Sequence, residues 1–536
     1  MLKEYFWIAI IGVLLNAALI IADAAGFLPL NLTVFILAFL AAFALAWYRP
    51  VWVFWLFVML IPLERVIISS EAIPFSLRPF QFLGVILVGS VVLQWVWAKF
   101  LGKKPFRLLR LDFQNIFKWK GKESCYNFKD LLIFAFPLVA FISIVNAPDQ
   151  AASLKQALVL VSFILLYWLA RNFFLREKRL NEALWFFAAT SLPILLFGVY
   201  QAVAWKFGWQ SFQIFAERVN ATFTEPDWFG VYLVFLASIV YWLKLQLFKT
   251  ENDTMIASWE LRRAGQWFAN LYLFLIFLVL LLTVARSAWA GFAGVTAVYF
   301  ALLWWQGKII QAKKLDWKRF FKEGFSLAAV YLLSIAVLFV FNLSQFHFLN
   351  RAESSFSGMQ KITVSCRPGS QVPQKISCDC RLSQYDCRHI RLEEIKAEKE
   401  RGREIKEVYR PDPNVEIRKQ IYAKTWGAIN DYPFLGQGLG SSSKILGTDK
   451  HGHGYNASNI FLEVWISTGL VGLVIFGVFF LLPFVFSVRN LLGRQKEHYG
   501  LNIFIVISTI ALLIPNLFNA GIFLGIFWIW LAILNK

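Results

Sequence analysis

The stretch HGHGYNASNIFLEVWISTGLVGLVIFGVFF, residues 451–480, decides the fold class. Its polar first part passes without a break into an apolar run that is long enough to cross a bilayer, since about 20 apolar residues span roughly 30 Å of hydrocarbon. Runs of this kind recur along the 536-residue chain, in which 58% of residues are hydrophobic and only 16% are charged. The sequence therefore predicts an all-α polytopic integral membrane protein.

Working outward from this stretch, we count fourteen candidate spans. The third is short and the last two nearly touch, so we predict about 12–14 transmembrane helices. A transmembrane β-barrel is excluded, because its strands would alternate apolar and polar residues over about ten positions. The candidate spans are residues 5–22, 29–48, 50–64, 79–98, 130–147, 155–171, 183–205, 229–247, 267–285, 287–306, 324–343, 460–487, 501–517 and 520–534.

The distribution of charge predicts the orientation. If the N-terminus is cytoplasmic, every longer loop on the cytoplasmic side carries at least three Lys or Arg residues, as the positive-inside rule requires. We attribute the net charge of +20 to this topology rather than to nucleic-acid binding. The prediction is an inner-membrane protein with both termini in the cytoplasm. The basic loops are residues 99–129, 172–182, 248–266, 307–323 and 488–500.

One long loop, residues 344–459, separates a helical bundle over 1–343 from C-terminal helices over 460–536, and it falls on the extracytoplasmic side. Within it, the charged stretch 391–407 has the spacing of an exposed helix. Four of the five cysteines lie in this loop. Two disulfides suit an oxidising compartment, with the pairing left open, whereas a zinc site would need a different spacing. The four are Cys366, Cys378, Cys380 and Cys387.

Three arginines run against the charge bias, because the orientation places Arg218, Arg286 and Arg418 on the outer side. Guanidinium groups hold phosphate oxygens in a fixed geometry, so three of them on one face would suit a pyrophosphate. The alternative is that each arginine pairs with lipid headgroups or with a neighbouring acid. The candidate acids are Glu217, Glu225 and Asp431.

Four segments resemble the O-antigen ligase and polymerase superfamily. In SNIFLEVWISTGLVGL, Asn459 is followed by nine residues and then by Gly469 and Gly472, which is the spacing of the family's signature helix. The segments DYPFLGQGLG, VARSAWAG and RVNATFTEPDWFGVYL resemble three further motifs of the family, in the same order along the chain. The glycines of FLGQGLGSS fit either a phosphate-binding turn or a tight re-entrant turn.

The resemblance implies a glycosyltransferase that needs neither a metal nor another cofactor. Its donor would be a glycan on a polyprenyl diphosphate, its acceptor a glycan, lipid or protein hydroxyl, and its site the outer face of the cytoplasmic membrane. The protein would lie in membrane lipid and would not bind nucleic acid. Arg218 and Arg286 would then bind the diphosphate as it leaves.

The chain departs from the family at one position. The family's ligases have a histidine where this chain has Ser458, and a serine hydroxyl is no general base near neutral pH. Three explanations stay open: His453 reaches the same place, Glu463 serves instead, or transfer uses no strong base.

Three other functions also stay open. They are a flippase for lipid-linked oligosaccharides, a glycosyltransferase of the O-mannosyl or oligosaccharyl type, and a non-catalytic envelope-assembly protein. A transporter would show internal repeats and charges at mid-membrane, and neither is visible here. The other glycosyltransferases carry an acidic pair in the first outer loop, where this chain has only Asp23.

Overall fold

The computed structural model describes most of the chain. The described residues are 2–73, 76–101, 128–174, 178–215, 218–247, 259–305, 317–343, 349–350, 353–354, 357–390, 394–448, 454–493 and 498–534.

Helices dominate the described residues, and each of the fourteen candidate spans corresponds to one. The helices before the long loop are α1 (Leu2–Ala24), α2 (Leu32–Tyr48), α3 (Pro50–Leu60), α4 (Pro79–Phe100), α5 (Phe128–Ile142), α6 (Gln150–Phe174), α7 (Lys178–Phe207), α8 (Pro226–Leu247), α9 (Trp259–Thr283), α10 (Arg286–Trp305) and α11 (Trp317–Val340). Those in and after the loop are α12 (Ile395–Glu400), α13 (Pro413–Asp431), α14 (Ser442–Leu446), α15 (Ile460–Leu492), α16 (Tyr499–Asn516) and α17 (Gly525–Leu534).

Eleven helices among the described residues are long and apolar enough to span a membrane. The other three predicted spans form the shorter apolar helices α2, α3 and α17. The predicted polytopic, helical membrane architecture is confirmed. The third span is predicted over residues 50–64, but its helix ends at Leu60, and the described residues 61–73 and 76–78 form no helix.

The centre of the bundle is α8, whose spanning segment is 94% buried within the protein. It packs against α9, α10 and α16. Close approach of α8 to α10 depends on Gly230, where an added Cβ would lie 2.6 Å from the Cβ of Ala288. The first turn of α8 therefore lies tightly against the beginning of α10, which positions the residues discussed below.

The long loop contains a small antiparallel sheet, which the all-helical prediction did not include. The strands β1 (Met359–Cys366), β2 (Cys387–His389) and β3 (Glu404–Pro411) lie in the order β2–β1–β3. We call residues 357–412 the sheet module. Its apolar core is separate from that of the bundle and includes Val364 and Val408. Disulfides join Cys366 to Cys387 and Cys378 to Cys380.

The charged stretch 391–407 was predicted to form one exposed helix, and this was wrong for the described part. Only α12 is helical; the chain then turns at Gly402, with a φ of 73°, and enters β3. The reason is Glu398, which is buried and accepts hydrogen bonds from Arg388 at 2.8 Å and Arg401 at 2.9 Å. Those bonds, with one from Ser365, lower its pKa to about 2. The charges thus form an internal network of the sheet module.

Candidate active site

Arg218 lies in the connection between α7 and α8 and contacts both sides of it. Its Nη2 donates to Oδ2 of Asp227 at 3.2 Å, in the first turn of α8, and its Nε donates to the carbonyl of Thr283 at 3.1 Å, at the end of α9. The side chain of Arg218 is 19% exposed and that of Asp227 34%. This ion pair is therefore accessible from outside the protein.

Arg286 begins α10, three residues after Thr283. Its Nη1 donates to Oδ2 of Asp412 at 3.1 Å and to Oγ of Ser354 at 3.3 Å. Asp412 is 1% exposed and also caps α13, accepting from the backbone N–H of Asn414 at 3.0 Å, whereas Arg286 is 28% exposed. Arg286 thus joins the bundle to the end of the sheet module, with part of its side chain accessible.

The turn between α9 and α10 brings these two arginines together. Arg218 bonds to the carbonyl of Thr283, and Val219 donates to the carbonyl of Leu282 at 3.1 Å, so the Arg218 segment lies along the end of α9. Arg286 follows on the other side of the same turn. Two arginines that are 68 positions apart in the sequence therefore flank one short turn, and the structure pairs Arg218 with Asp227 and Arg286 with Asp412. Glu217 lies outside the described residues.

Asn459 has a structural role at the start of α15. Its Oδ1 accepts from the backbone N–H groups of Phe461 at 2.9 Å and Leu462 at 3.2 Å, which are among the donors that a helix start leaves unpaired. Its Nδ2 donates to the carbonyl of Leu517 at 3.1 Å, in the connection between α16 and α17. The signature asparagine therefore caps its helix and ties that helix to a neighbouring loop.

The same connection between α16 and α17 contacts two other parts of the site. The guanidinium of Arg418 lies over the ring of Phe518, with its Cζ 5.6 Å from the ring centroid. Asn519 donates to Oγ of Ser287 at 3.0 Å, and Ser287 is the residue after Arg286. Residues 517–519 therefore connect the starts of α10 and α15 with Arg418, so the structure brings all three predicted arginines into one region.

The signature helix α15 is broken at Gly469, where φ is 67° and ψ is −172°. The loop between α13 and α14 supplies the missing hydrogen bonds. Leu470 donates to the carbonyl of Pro433 at 2.8 Å, and Gln437 donates to the carbonyl of Ile466 at 2.8 Å. Non-helical backbone at membrane depth is stable only when protein or water satisfies it, and here the protein does.

The glycines at this break are needed for close packing. A Cβ on Gly469 would lie 2.1 Å from the carbonyl oxygen of Phe434, and one on Gly436, whose φ is 69°, would lie 2.5 Å from the nitrogen of Gly469. A Cβ on Gly472 would lie 1.9 Å from Oγ1 of Thr468. The Gly-rich turn therefore packs against the broken helix. Of the two interpretations left open by the sequence, this geometry favours the re-entrant turn over a phosphate cradle.

Glu463 is bonded on both carboxylate oxygens. Oε1 accepts from the hydroxyl of Ser442, and Oε2 accepts from the backbone N–H of Ala457 at 2.7 Å. The side chain is buried. Because both oxygens hold backbone and side-chain groups of the preceding loop in place, Glu463 is better suited to fixing that loop than to accepting a substrate proton.

Ser458 lies directly before the cap of α15, with a left-handed φ of 51°. Its backbone N–H donates to Oδ1 of Asn456 at 2.9 Å, which closes a local turn. His453 lies outside the described residues. Near the family's histidine position, the described residues therefore include a serine in a fixed turn and a carboxylate already bonded on both oxygens.

A second charged cluster, in the loop between α3 and α4, was missed from the sequence. Nη1 of Arg78 lies 3.7 Å from Oε1 of Glu64, and Nη2 of Arg65 lies 3.7 Å from Oδ2 of Asp23. Burial raises the pKa of Glu64 to about 7; Arg78 opposes this shift and Glu225 adds to it. The available signal was a set of charged residues directly after a short apolar run.

Three hydrogen bonds join this loop to the connection that carries Arg218. The backbone N–H of Arg65 donates to the carbonyl of Thr222 at 2.7 Å, and the hydroxyl of Thr222 donates to the carbonyl of Pro62 at 2.7 Å. In addition, Nη1 of Arg65 donates to the carbonyl of Phe212 at 2.9 Å. Since Thr222 is four residues after Arg218, the second cluster borders the arginine region.

Comparison with known proteins supports the resemblance for part of the chain. Residues 271–477 match the family model described as O-Antigen ligase, which supports the resemblance to that superfamily over this part of the chain. The match contains Arg286, Arg418 and the signature helix up to residue 477, whereas Arg218 and Glu64 precede it. No curated protein matches the chain.

Proposed function

We propose that this membrane protein transfers a glycan from a polyprenyl diphosphate carrier to a hydroxyl acceptor on the outer face of the cytoplasmic membrane. The match of residues 271–477 to the O-antigen ligase family supports a ligase- or polymerase-type glycosyltransferase in general. The carrier, the face of the membrane and the independence from metal are parts of the proposal. The acceptor is a glycan, a lipid or a protein.

The observation that carries the proposal is the position of Arg218 and Arg286 around one turn. Both side chains are partly exposed, at 19% and 28%, and both are oriented by bonds to buried or helix-terminal groups. When the bond between the anomeric carbon and the diphosphate oxygen breaks, negative charge grows on that oxygen. Fixed guanidinium groups stabilise such charge more in the transition state than in the ground state.

The direction of the chain across the membrane agrees with this placement. The basic loops predict cytoplasmic termini, and the connections that carry Arg218, Asp412 and Asn459 then all fall on the outer side. A lipid-linked donor in the outer leaflet would meet these groups at headgroup depth. The sheet module, tied to the bundle by Arg286, would lie above the donor.

The proposal is tested by replacing the two arginines. In cells that lack the gene, the wild-type protein should restore long-chain or attached surface polysaccharide, seen as a ladder on gels. Arg218→Ala and Arg286→Ala should each lower glycan transfer by about 10²–10³-fold, the effect of removing one donor from a site of developing negative charge. Unprocessed lipid-linked glycan should accumulate in both strains.

Two controls make the result specific. Arg489→Ala removes an exposed arginine from the last turn of α15 and should transfer at the wild-type rate. The lysine variants of Arg218 and Arg286 keep the charge but lose the bidentate geometry, and should be intermediate. Near-normal transfer in both alanine variants would remove the proposal.

A further inference from the structure

Glu64 carries a buried carboxylate oxygen with no hydrogen-bond partner among the described residues. Its Oε2 is inaccessible, while Oε1 lies 3.7 Å from Nη1 of Arg78, too long for a direct hydrogen bond. The side chain as a whole is 11% exposed. Leaving such an acceptor buried without a partner costs about 1–3 kcal/mol of folding free energy, so its presence calls for an explanation such as a catalytic role.

The position of Glu64 indicates that use. Its loop is hydrogen-bonded through Thr222 to the connection that carries Arg218. Charged groups face it from each neighbouring element: Arg78 at the start of α4, Glu225 just before α8, and the adjoining pair of Arg65 with Asp23. An acceptor hydroxyl near a donor diphosphate held by Arg218 would therefore be near this loop.

We infer that Glu64 is the base that takes the proton from the acceptor hydroxyl during glycan transfer. The inference rests on the function proposed above. The acceptor oxygen attacks the anomeric carbon and forms the new glycosidic bond, and the bond from that carbon to the diphosphate oxygen breaks. The electron pair leaves with the polyprenyl diphosphate, and the proton of the acceptor passes to the carboxylate of Glu64, whose side chain is 11% exposed.

Other carboxylates around the arginines are less suited to this step. Both oxygens of Glu463 hold neighbouring groups of the chain. Asp227 and Asp412 accept hydrogen bonds from Arg218 and Arg286, which weakens them as bases. Glu64 differs in having one oxygen without a hydrogen bond.

The ionisation of Glu64 also suits a base. Burial, assisted by Glu225, raises its pKa to about 7 despite the opposing charge of Arg78. A carboxyl with this pKa is protonated, and inactive as a base, at acidic pH. It becomes a stronger base than an ordinary glutamate once ionised. Transfer should therefore increase as pH rises through about 7.

The test uses membrane vesicles from cells that lack the gene and express each variant, so that native acceptors are present. The probe is a radiolabelled glycan on polyprenyl diphosphate, and product is measured from pH 5.5 to 8.5, a range chosen to bracket the pKa of about 7. Glu64→Gln should lower kcat by about 10²–10⁴-fold with little change in KM for the donor, and should abolish the rise with pH. Glu64→Asp should keep the rise at a lower rate.

Two further variants exclude other sources of the pH effect. Glu71→Gln changes an exposed glutamate in the same loop and should match the wild type in rate and pH profile. His453→Ala removes the histidine that the sequence analysis considered as the base, and the rise with pH should persist in this variant. Loss of the rise in His453→Ala together with its retention in Glu64→Gln would overturn the inference.

The remaining outcomes are also decisive. A wild-type kcat that does not change between pH 6 and 8 would overturn the inference. This measurement uses no variant, so it decides the matter even if the Glu64 variants fail to fold. A raised donor KM with an unchanged kcat in Glu64→Gln would make Glu64 a positioning residue instead. If wild-type vesicles transfer no glycan from this donor, the proposed function fails, which is a different result from slow Glu64→Gln beside active wild type.

Discussion

The two ends of α8 carry ion pairs of opposite character. Its first turn holds Asp227, paired with Arg218, and its last turn holds Lys244, paired with Glu323. At 1.5 Å per residue, these two positions on α8 are roughly 26 Å apart. The side chains of the first pair are 19% and 34% exposed, whereas those of Lys244 and Glu323 are 0% and 9% exposed.

The difference teaches how to separate structural charges from functional ones in a membrane protein. In the buried pair, Nζ of Lys244 lies 2.6 Å from Glu323. Lys244 also donates to Asn270, and Glu323 also accepts from the hydroxyl of Tyr299. Every such bond is made within the protein. The pair at the other end leaves part of the guanidinium accessible, which is what a ligand requires.

The largest expected effect comes from breaking the buried pair. Glu323→Ala leaves the ammonium of Lys244 buried without its main partner, and should lower the free energy of unfolding by about 3–5 kcal/mol. The measurement is thermal unfolding of the purified protein in detergent. Glycan transfer per folded molecule should be unchanged, since the pair is far from the site.

The double variant Lys244→Met with Glu323→Leu is the matched control for this prediction. Replacing both charges with apolar side chains removes the desolvation cost together with the attraction, so stability should return close to that of the wild type. If the double variant were as unstable as Glu323→Ala, packing rather than the unpaired charge would be the cause.

An intermediate effect is expected at Asp412, because in its pair with Arg286 only the aspartate is fully buried. Asp412→Ala removes a buried carboxylate that bonds to Arg286 and caps α13, and should lower the free energy of unfolding by about 1–3 kcal/mol. Cleavage by protease between the bundle and the sheet module should become faster. Stability equal to that of the wild type would mean that Arg286 does not anchor the module.

The helices were largely predictable from sequence, because the length of an apolar run sets the length of a membrane span. All fourteen predicted spans correspond to helices. The end of α3 also had a signal in the sequence, because Pro62 disfavours helical backbone at Ile61, and the predicted span 50–64 did not use it. The sheet was missed because the charge spacing in 391–407 is that of an exposed helix, whereas Glu398 is buried in α12 and pairs with Arg388 of β2.

The candidate site was predictable in its residue types and not in its pairing. The arginines were found because they oppose the charge bias, but their partners were not, since Asp412 is 126 positions from Arg286. The signature glycines were found by their spacing. The reason that Gly469 must be glycine is its close contact with Phe434, which only the folded structure shows. Glu64 was missed because the burial of one side chain in a loop cannot be deduced from the loop's own sequence.

The smallest effect on stability is expected at Asp227, and it gives the sharpest form of the comparison. Asp227→Asn keeps an oxygen that accepts from Arg218 but removes a negative charge next to the proposed diphosphate. Because the pair is partly exposed, the free energy of unfolding should change by less than about 1 kcal/mol.

The KM of the Asp227→Asn variant for the donor should fall by up to about fivefold, which corresponds to about 1 kcal/mol. The measurement is transfer as a function of donor concentration. A loss of stability as large as that of Glu323→Ala, with no change in KM, would make Arg218 a structural residue like Lys244 and would remove the contrast between the two ends of α8.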